Sequence, residues 1–138
     1  MQDDFDTRIA ARAQSRVGVP FRLHGRTPES GFDCIGLLAD ALHSVGFDLP
    51  IPDGYSLRGQ YEQDATGFFQ SGCFTALEAN EAEAPGNIGL VRIAPRQLHF
   101  IIYGAGSFIH SHAGLRRVVL TPGAVPWPII GRWRYLGG

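Results

Sequence analysis

Cysteine and histidine are the residue types in this chain best suited to covalent chemistry, and their placement is specific. Cys34 sits in the run Gly31-Phe32-Asp33-Cys34-Ile35-Gly36-Leu37-Leu38, where Asp33 has the character of a helix N-cap and an apolar helical pattern starts directly behind it. That puts the thiol in the first turn of a helix. There the backbone N–H groups and the helix dipole favour a negative charge, so the thiol pKa is expected to be lowered and its reactivity raised. Gly31 allows an abrupt entry to the turn, and Gly36 allows another segment to pack closely on the helix. The competing reading of Cys34 is a small buried apolar residue, the usual fate of a free cysteine. A nucleophile also needs a base, and His99 and His110 supply imidazoles later in the chain.

The two histidines fall on runs that read as neighbouring strands. In Leu98-His99-Phe100-Ile101-Ile102-Tyr103, His99 shares a face with Ile101 and Tyr103. Gly104-Ala105 fits a two-residue hairpin turn with glycine first, which pairs Tyr103 with Gly106 and sets His99 opposite His110. Directly opposed residues lie about 4.5–5.5 Å apart at Cβ, so the imidazoles can hydrogen-bond. His110 then orients His99, and His99 faces Cys34. Nucleophile, base and orienter together are what covalent acyl transfer requires. His112 lies on the same face as His110 and is a substitute orienter if the register differs. Zinc is the other use of such residues, but the short Cys-x-x-Cys and His-x-x-x-His pairs of zinc sites are absent, so no metal or cofactor is expected.

The elements that must hold these residues follow from the pattern of the chain. Phe5, Ile9, Ala13 and Val17 fall four apart with Arg8, Arg12 and Arg16 on another face, giving an amphipathic helix that Gly18 ends and Pro20 keeps from resuming. Phe21 to Gly31 reads as a loop that leads His24 into Cys34. A second helix runs from Cys34 to Val45, apolar at Leu37, Leu38, Ala41, Leu42 and Val45, with Gly46 as its cap. A third helix is expected over Leu57 to Gln70, and a short strand over Phe74 to Leu77. Cys73 has no base or charge nearby in sequence and reads as structural. After the strong turn at Pro85-Gly86-Asn87 come five strand-like runs: Ile88–Ile93, Leu98–Tyr103, Ser107–His112, Leu115–Leu120 and Ile129–Tyr135. Helices early and strands late make the class α+β, with an antiparallel sheet.

Composition narrows the function further. A chain of 138 residues is most simply one domain, residues 1–138, large enough for a core. A net charge of −1 points away from nucleic acid and anionic membranes as partners. Two cysteines do not make a disulfide scaffold. No run approaches the roughly 20 apolar residues of a membrane span. The opening residues lack a basic, apolar leader, so synthesis in the cytoplasm without a signal peptide is expected.

As a set, these segments resemble the NlpC-type cell-wall cysteine peptidases over roughly residues 8 to 120. The first half of that resemblance rests on Gly18-Val19-Pro20-Phe21, on Gly31 to Leu38, and on Gly46 with Leu49-Pro50. The second rests on Pro85-Gly86-Asn87, His99 to Tyr103, and Phe108-Ile109-His110-Ser111. The His24 loop, Ile35 after the cysteine, the absent leader and Pro126-Trp127-Pro128 look most like a branch associated with tails of phages and gene transfer agents. The resemblance implies a papain-like α+β fold and hydrolysis of peptidoglycan stem peptides, usually between D-glutamate and a diamino acid. It implies Cys34 as nucleophile, His99 as general base and His110 as orienter. Phe21, His24, Asp33 and His112 would contact the substrate, and backbone N–H groups near Cys34 would stabilise the oxyanion. Its expected partners are stem peptides and phage-like tail or baseplate proteins. The chain departs from the family pattern at three positions: Phe21 replaces a tyrosine whose hydroxyl is thought to help at the oxyanion, Ile35 replaces a serine, and Asn87 replaces an aspartate. The Phe21 replacement also admits a rival reading, a tail-tip module that keeps the fold and has lost turnover.

Overall fold

The computed structural model describes residues 2–51, 66–70 and 72–138. The third helix expected over Leu57–Gln70 lies largely outside the described residues. Helix α1 spans Gln2–Ser15 and helix α2 spans Cys34–His43. A small ladder pairs β1 (Arg26–Thr27) with β2 (Gly31–Phe32). The remaining strands are β3 (Phe74–Ala76), β4 (Ile88–Ala94), β5 (Gln97–Gly104), β6 (Ser107–His112), β7 (Arg117–Pro122) and β8 (Ile129–Tyr135). They form one antiparallel sheet in the order β3-β8-β4-β5-β6-β7, so the class is the expected α+β.

Each helix is explained by its sequence. In α1, Ile9 and Ala13 are fully buried, as their four-residue spacing requires. Val17, placed in the same row by the sequence pattern, lies beyond the last helical residue and is exposed, because Gly18 turns the chain at φ 95°. Arg12 on α1 and Arg16 just after it both reach Asp40 on α2, at 3.2 and 2.8 Å, and fix how the helices lie together. Helix α2 is capped by Asp33, whose Oδ1 accepts the Gly36 N–H at 2.8 Å. It closes through Gly46 at φ 86°, with the Phe47 N–H donating back to the Leu42 carbonyl.

The sheet has two distinct faces. Leu90, Leu98, Phe100, Ile102, Ile109 and Val118 pack toward the helices in one core with Leu37, Leu38 and Leu42. Val91, Ile101, Tyr103 and Phe108 form a second cluster on the other face, against Ile93, Val125 and Trp127. Alternation along β5 therefore sends Phe100 to the helices and Ile101 to the far side.

Three local expectations need correction. The segment Phe21–Gly31 is not wholly a loop, since Arg26 pairs with Phe32 and Thr27 with Gly31; a Thr27–Ser30 hydroxyl contact at 2.8 Å closes the turn between them. The strand expected at Leu115–Leu120 starts at Arg117 instead. Residues 113–116 form a turn with Arg116 at φ 62°, and its Leu115 N–H is held by His112 Nδ1 at 3.1 Å. In the β5–β6 hairpin Gly104 pairs with Ser107 and Tyr103 with Phe108, so the turn residues are Ala105 and Gly106. Gly106, at φ 60°, and not Gly104, supplies the left-handed conformation of the turn.

Candidate active site

The site is built where α2 begins, β5 begins and β6 ends. These three points coincide at one end of the sheet, around a cavity of about 690 Å³. Its walls include Cys34, His99 and His110, and also Phe21, His24, Asp33 and His112, so every residue singled out in the sequence lines the same space.

The Asp33 cap organises the approach to it. Its second oxygen, Oδ2, accepts the backbone N–H of His24 at 2.8 Å, so one buried carboxylate ties the His24 turn to the head of α2. His24 takes a left-handed backbone, φ 61°, to make that turn. Gly25 and Gly36 are in direct backbone contact, and a Cβ at Gly36 would overlap the Gly25 carbonyl. The close approach expected at Gly36 is therefore real. On the other side, Ser111 Oγ donates to the Phe32 carbonyl at 2.6 Å and binds β6 to β2.

The histidine pair forms, by a different route from the one expected. With Tyr103 opposite Phe108, the same register carried on places His110 diagonal to His99 rather than directly across. Imidazoles are long enough to bridge that diagonal, and His99 Nε2 lies 2.9 Å from His110 Nδ1 with the rings at 81°. His110 Nε2 is in turn 3.4 Å from Thr121 Oγ1 on β7. For His99 to keep a lone pair on Nδ1, its Nε2 must carry the proton and donate to His110 Nδ1. His110 Nε2 then carries the second proton and donates to the threonine hydroxyl. The chain of contacts is compatible with that single tautomer.

Burial sets the electrostatics of the site. Cys34 is 4% exposed, and loss of water pushes its thiol pKa up to about 12. Backbone hydrogen bonds pull the value down, the strongest from Phe100 on β5 and smaller ones from Cys34 and Ile35 at the helix start. Desolvation outweighs them, and the neighbouring Asp33 charge adds to the rise. The expectation of a lowered thiol pKa is thus overturned. Burial also drives His99 down to about 3, with the charges of His110 and then His112 adding to the fall, and His110 down to about 4, with the charge of His112 adding to it. The Cys34 thiol and the His99 imidazole are both neutral at pH 7.

This has a consequence for stability. In the unfolded chain these histidines bind protons near pH 6.5, whereas in the folded chain they bind them only near pH 3 to 4. Their contribution is present above about pH 6.5 and is lost as pH falls toward those folded values. Tm, followed by circular dichroism, is expected to drop steadily between pH 6.5 and 4. The slope should be shallower in a His99→Asn/His110→Asn double variant.

Three side chains around the site were not singled out as site residues from sequence. Trp127 lies edge-on to both histidines, Thr121 ends the polar chain, and Ser111 anchors β6. Thr121 reaches the site through the register of β7 on β6, and Trp127 through the connection from β7 to β8, which local patterns do not encode. Ser111, directly after His110, could have been found from strand alternation, since it points to the helix side. Among the described residues no set of three His, Cys, Asp or Glu side chains is arranged to hold a metal ion, and no helix is long and apolar enough to cross a membrane.

No protein-family model matches the sequence, and no curated protein matches it either. Solved structures do match the fold. NlpC1 from Trichomonas vaginalis superposes with a TM-score of 0.71 at 23% identity, over 96% of this chain and 44% of that one. The peptidoglycan hydrolase RipB from Mycobacterium tuberculosis gives 0.64 at 20% identity, over 99% of this chain and 67% of that one. The NlpC/p60 domain of the peptidoglycan hydrolase SagA gives 0.58 at 24% identity, over 85% and 88%. The chain spans about half the length of the Trichomonas proteins it resembles. It has the papain-like α+β fold of these NlpC/P60 structures.

Proposed function

We propose that this chain is a cysteine peptidase that hydrolyses peptidoglycan stem peptides, at the bond between D-glutamate and a diamino acid, with Cys34 as nucleophile, His99 as general base and His110 as orienter. The observation that carries the reading is the His99–His110 contact of 2.9 Å on the wall of the cavity that Cys34 also lines. Likeness of fold to two peptidoglycan hydrolases supports the substrate class.

The protonation states dictate the order of events. Because thiol and imidazole are both neutral at rest, the proton leaves Cys34 for His99 as sulfur bonds to the scissile carbonyl carbon. The backbone N–H groups that reach the sulfur at the head of α2 are the available donors for the oxyanion. His99 then gives its proton to the leaving amine nitrogen as the C–N bond breaks, leaving a thioester on Cys34. Water, deprotonated by His99, attacks the thioester. The acid departs and the proton returns to the thiol. His110 accepts from His99 Nε2 throughout and steadies the imidazolium.

The proposal extends to where the enzyme works, with a phage-like tail that breaches the cell wall. Support comes from the sequence resemblance at the His24 loop, Ile35 and Pro126-Trp127-Pro128. A second reading, a tail-tip module without turnover, is favoured by Phe21, which lines the cavity without a hydroxyl, and by the high thiol pKa. The two are separated by incubating the protein and its Cys34→Ala variant with diaminopimelate-type muropeptides and reading products by mass spectrometry. Fragments split beside D-glutamate are expected from the native protein and none from the variant. No product, together with a Cys34 that iodoacetamide does not modify in the folded protein, would favour the silent module.

A further inference from the structure

We propose that Trp127 is a positioning residue of this site, which walls the His99–His110 pair from water and fixes the planes of both rings. The inference rests on the peptidase reading for its kinetic consequence and on geometry alone for its physical one.

Trp127 stands between Pro126 and Pro128 in the connection from β7 to β8. Two prolines stiffen that short segment, and the Arg92 N–H holds it to β4 by donating to the Pro128 carbonyl at 3.0 Å. The indole is thus delivered from a rigid tether. Its ring centroid lies 5.7 Å from His110 at 70°, 6.2 Å from His99 at 82°, and 5.7 Å from Phe108 at 76°. Phe108 itself lies 5.1 Å from His110 at 34°. His110 is therefore enclosed by Phe108, Trp127, His99 and His112. Edge-on contacts at these distances are favourable and directional, so they resist rotation of the imidazoles. Trp127 also lines the cavity beside both histidines and is itself half-buried, so the ring covers part of the pair.

The groups able to influence protonation of the pair can be named. His112 faces it from β6, and Cys34, Asp33 and His24 share the cavity from the head of α2 and the preceding turn. From β4 and β7 it meets Val91 and Thr121, which carry no charge. Burial is the largest cause of the low pKa of both histidines, and His112 the shared charged contributor. Removing the indole changes the first and leaves the second, so its effect has one sign: water enters and both histidines titrate closer to their ordinary range.

The test is an NMR titration of the imidazoles, run beside the pH profile of turnover, on Trp127→Ala and Trp127→Phe. Alanine is expected to raise the apparent pKa of the pair by about one unit or more. It should move the acid limb of kcat/KM by the same amount and lower kcat about tenfold with KM within about twofold. Phenylalanine should restore most of the native titration. If alanine does not fold, Trp127→Leu, smaller and without a ring, carries the same expectation. An unchanged titration in a folded variant would overturn the inference. A raised KM with kcat and titration unchanged would overturn it too, assigning Trp127 to substrate contact instead. The titration needs no turnover, so a native protein that cleaves no muropeptide, with the titration shift present, would count against the peptidase reading and support this one.

Discussion

On the peptidase reading, alanine at His99 is expected to lower kcat/KM on a stem-peptide substrate by about a thousandfold or more. A positioned general base contributes about a hundred- to ten-thousandfold, and two features put His99 toward the upper half of that range. First, the Cys34 thiol, pushed to about 12, has almost no thiolate of its own to fall back on. Second, at 8% exposure His99 stands where little water can replace it as proton acceptor. On the same reading His110→Ala should cost less, about a hundredfold, because the proposed orienter acts through His99 and its loss leaves the accepting nitrogen in place. Progress curves on a defined muropeptide decide both. A His99→Ala enzyme within tenfold of native would mean that another group takes the proton, and His24 and His112 are the side chains on the cavity wall able to do so.

Gly36→Ala is expected to destabilise the fold by about 1–2 kcal/mol and to disable the site at the same time. In an exposed helix this substitution stabilises by up to about 1 kcal/mol, because alanine is the better helix former. Here the added methyl would occupy the position of the Gly25 carbonyl oxygen, a backbone atom that cannot swing aside as a flexible side chain can. Overpacking of this kind costs about 1–3 kcal/mol, so the steric term exceeds the propensity term and fixes the sign. Whichever segment yields, the His24 turn moves relative to Cys34, since Asp33 holds both. Denaturant unfolding measures the first effect and muropeptide turnover the second. A variant as stable as the native protein would show that the two backbones separate easily.

Much of this arrangement was readable from local chemistry. Asp33 announces the start of α2 because a carboxylate suits an N-cap, and the apolar spacing from Leu37 to Leu42 gives the face that α2 buries. Strand alternation placed His99 with Ile101 and Tyr103, and they do lie on the face away from the helices. The failures share a cause. Turn geometry decides register, and either Gly104 or Gly106 could have supplied the left-handed residue of the β5–β6 hairpin; the chain uses Gly106. The thiol pKa reversed because the helix start is a local feature whereas burial depends on the whole packed sheet. Thr121 stands beside His110 through the register of β7 on β6, and Trp127 through the path of the connection after β7, neither of which periodicity supplies.

The way the sheet ends at β7 bears on how the protein behaves in company. An outer strand with free N–H and C=O groups is a template on which further chains can pair and aggregate. Here the segment after α1 occupies part of that margin: the Gly18 N–H donates to the Val118 carbonyl at 2.8 Å, and the Val118 N–H donates to the Val19 carbonyl at 2.8 Å. Pro20 bridges to Arg117, and Pro122 closes the strand, each a residue without an N–H to offer a newcomer. The stitch that carries the chain from α1 toward the His24 turn thus also blunts the sheet against edge-to-edge association. Crowded copies of this protein are thereby discouraged from meeting through the strand that borders the histidine hairpin.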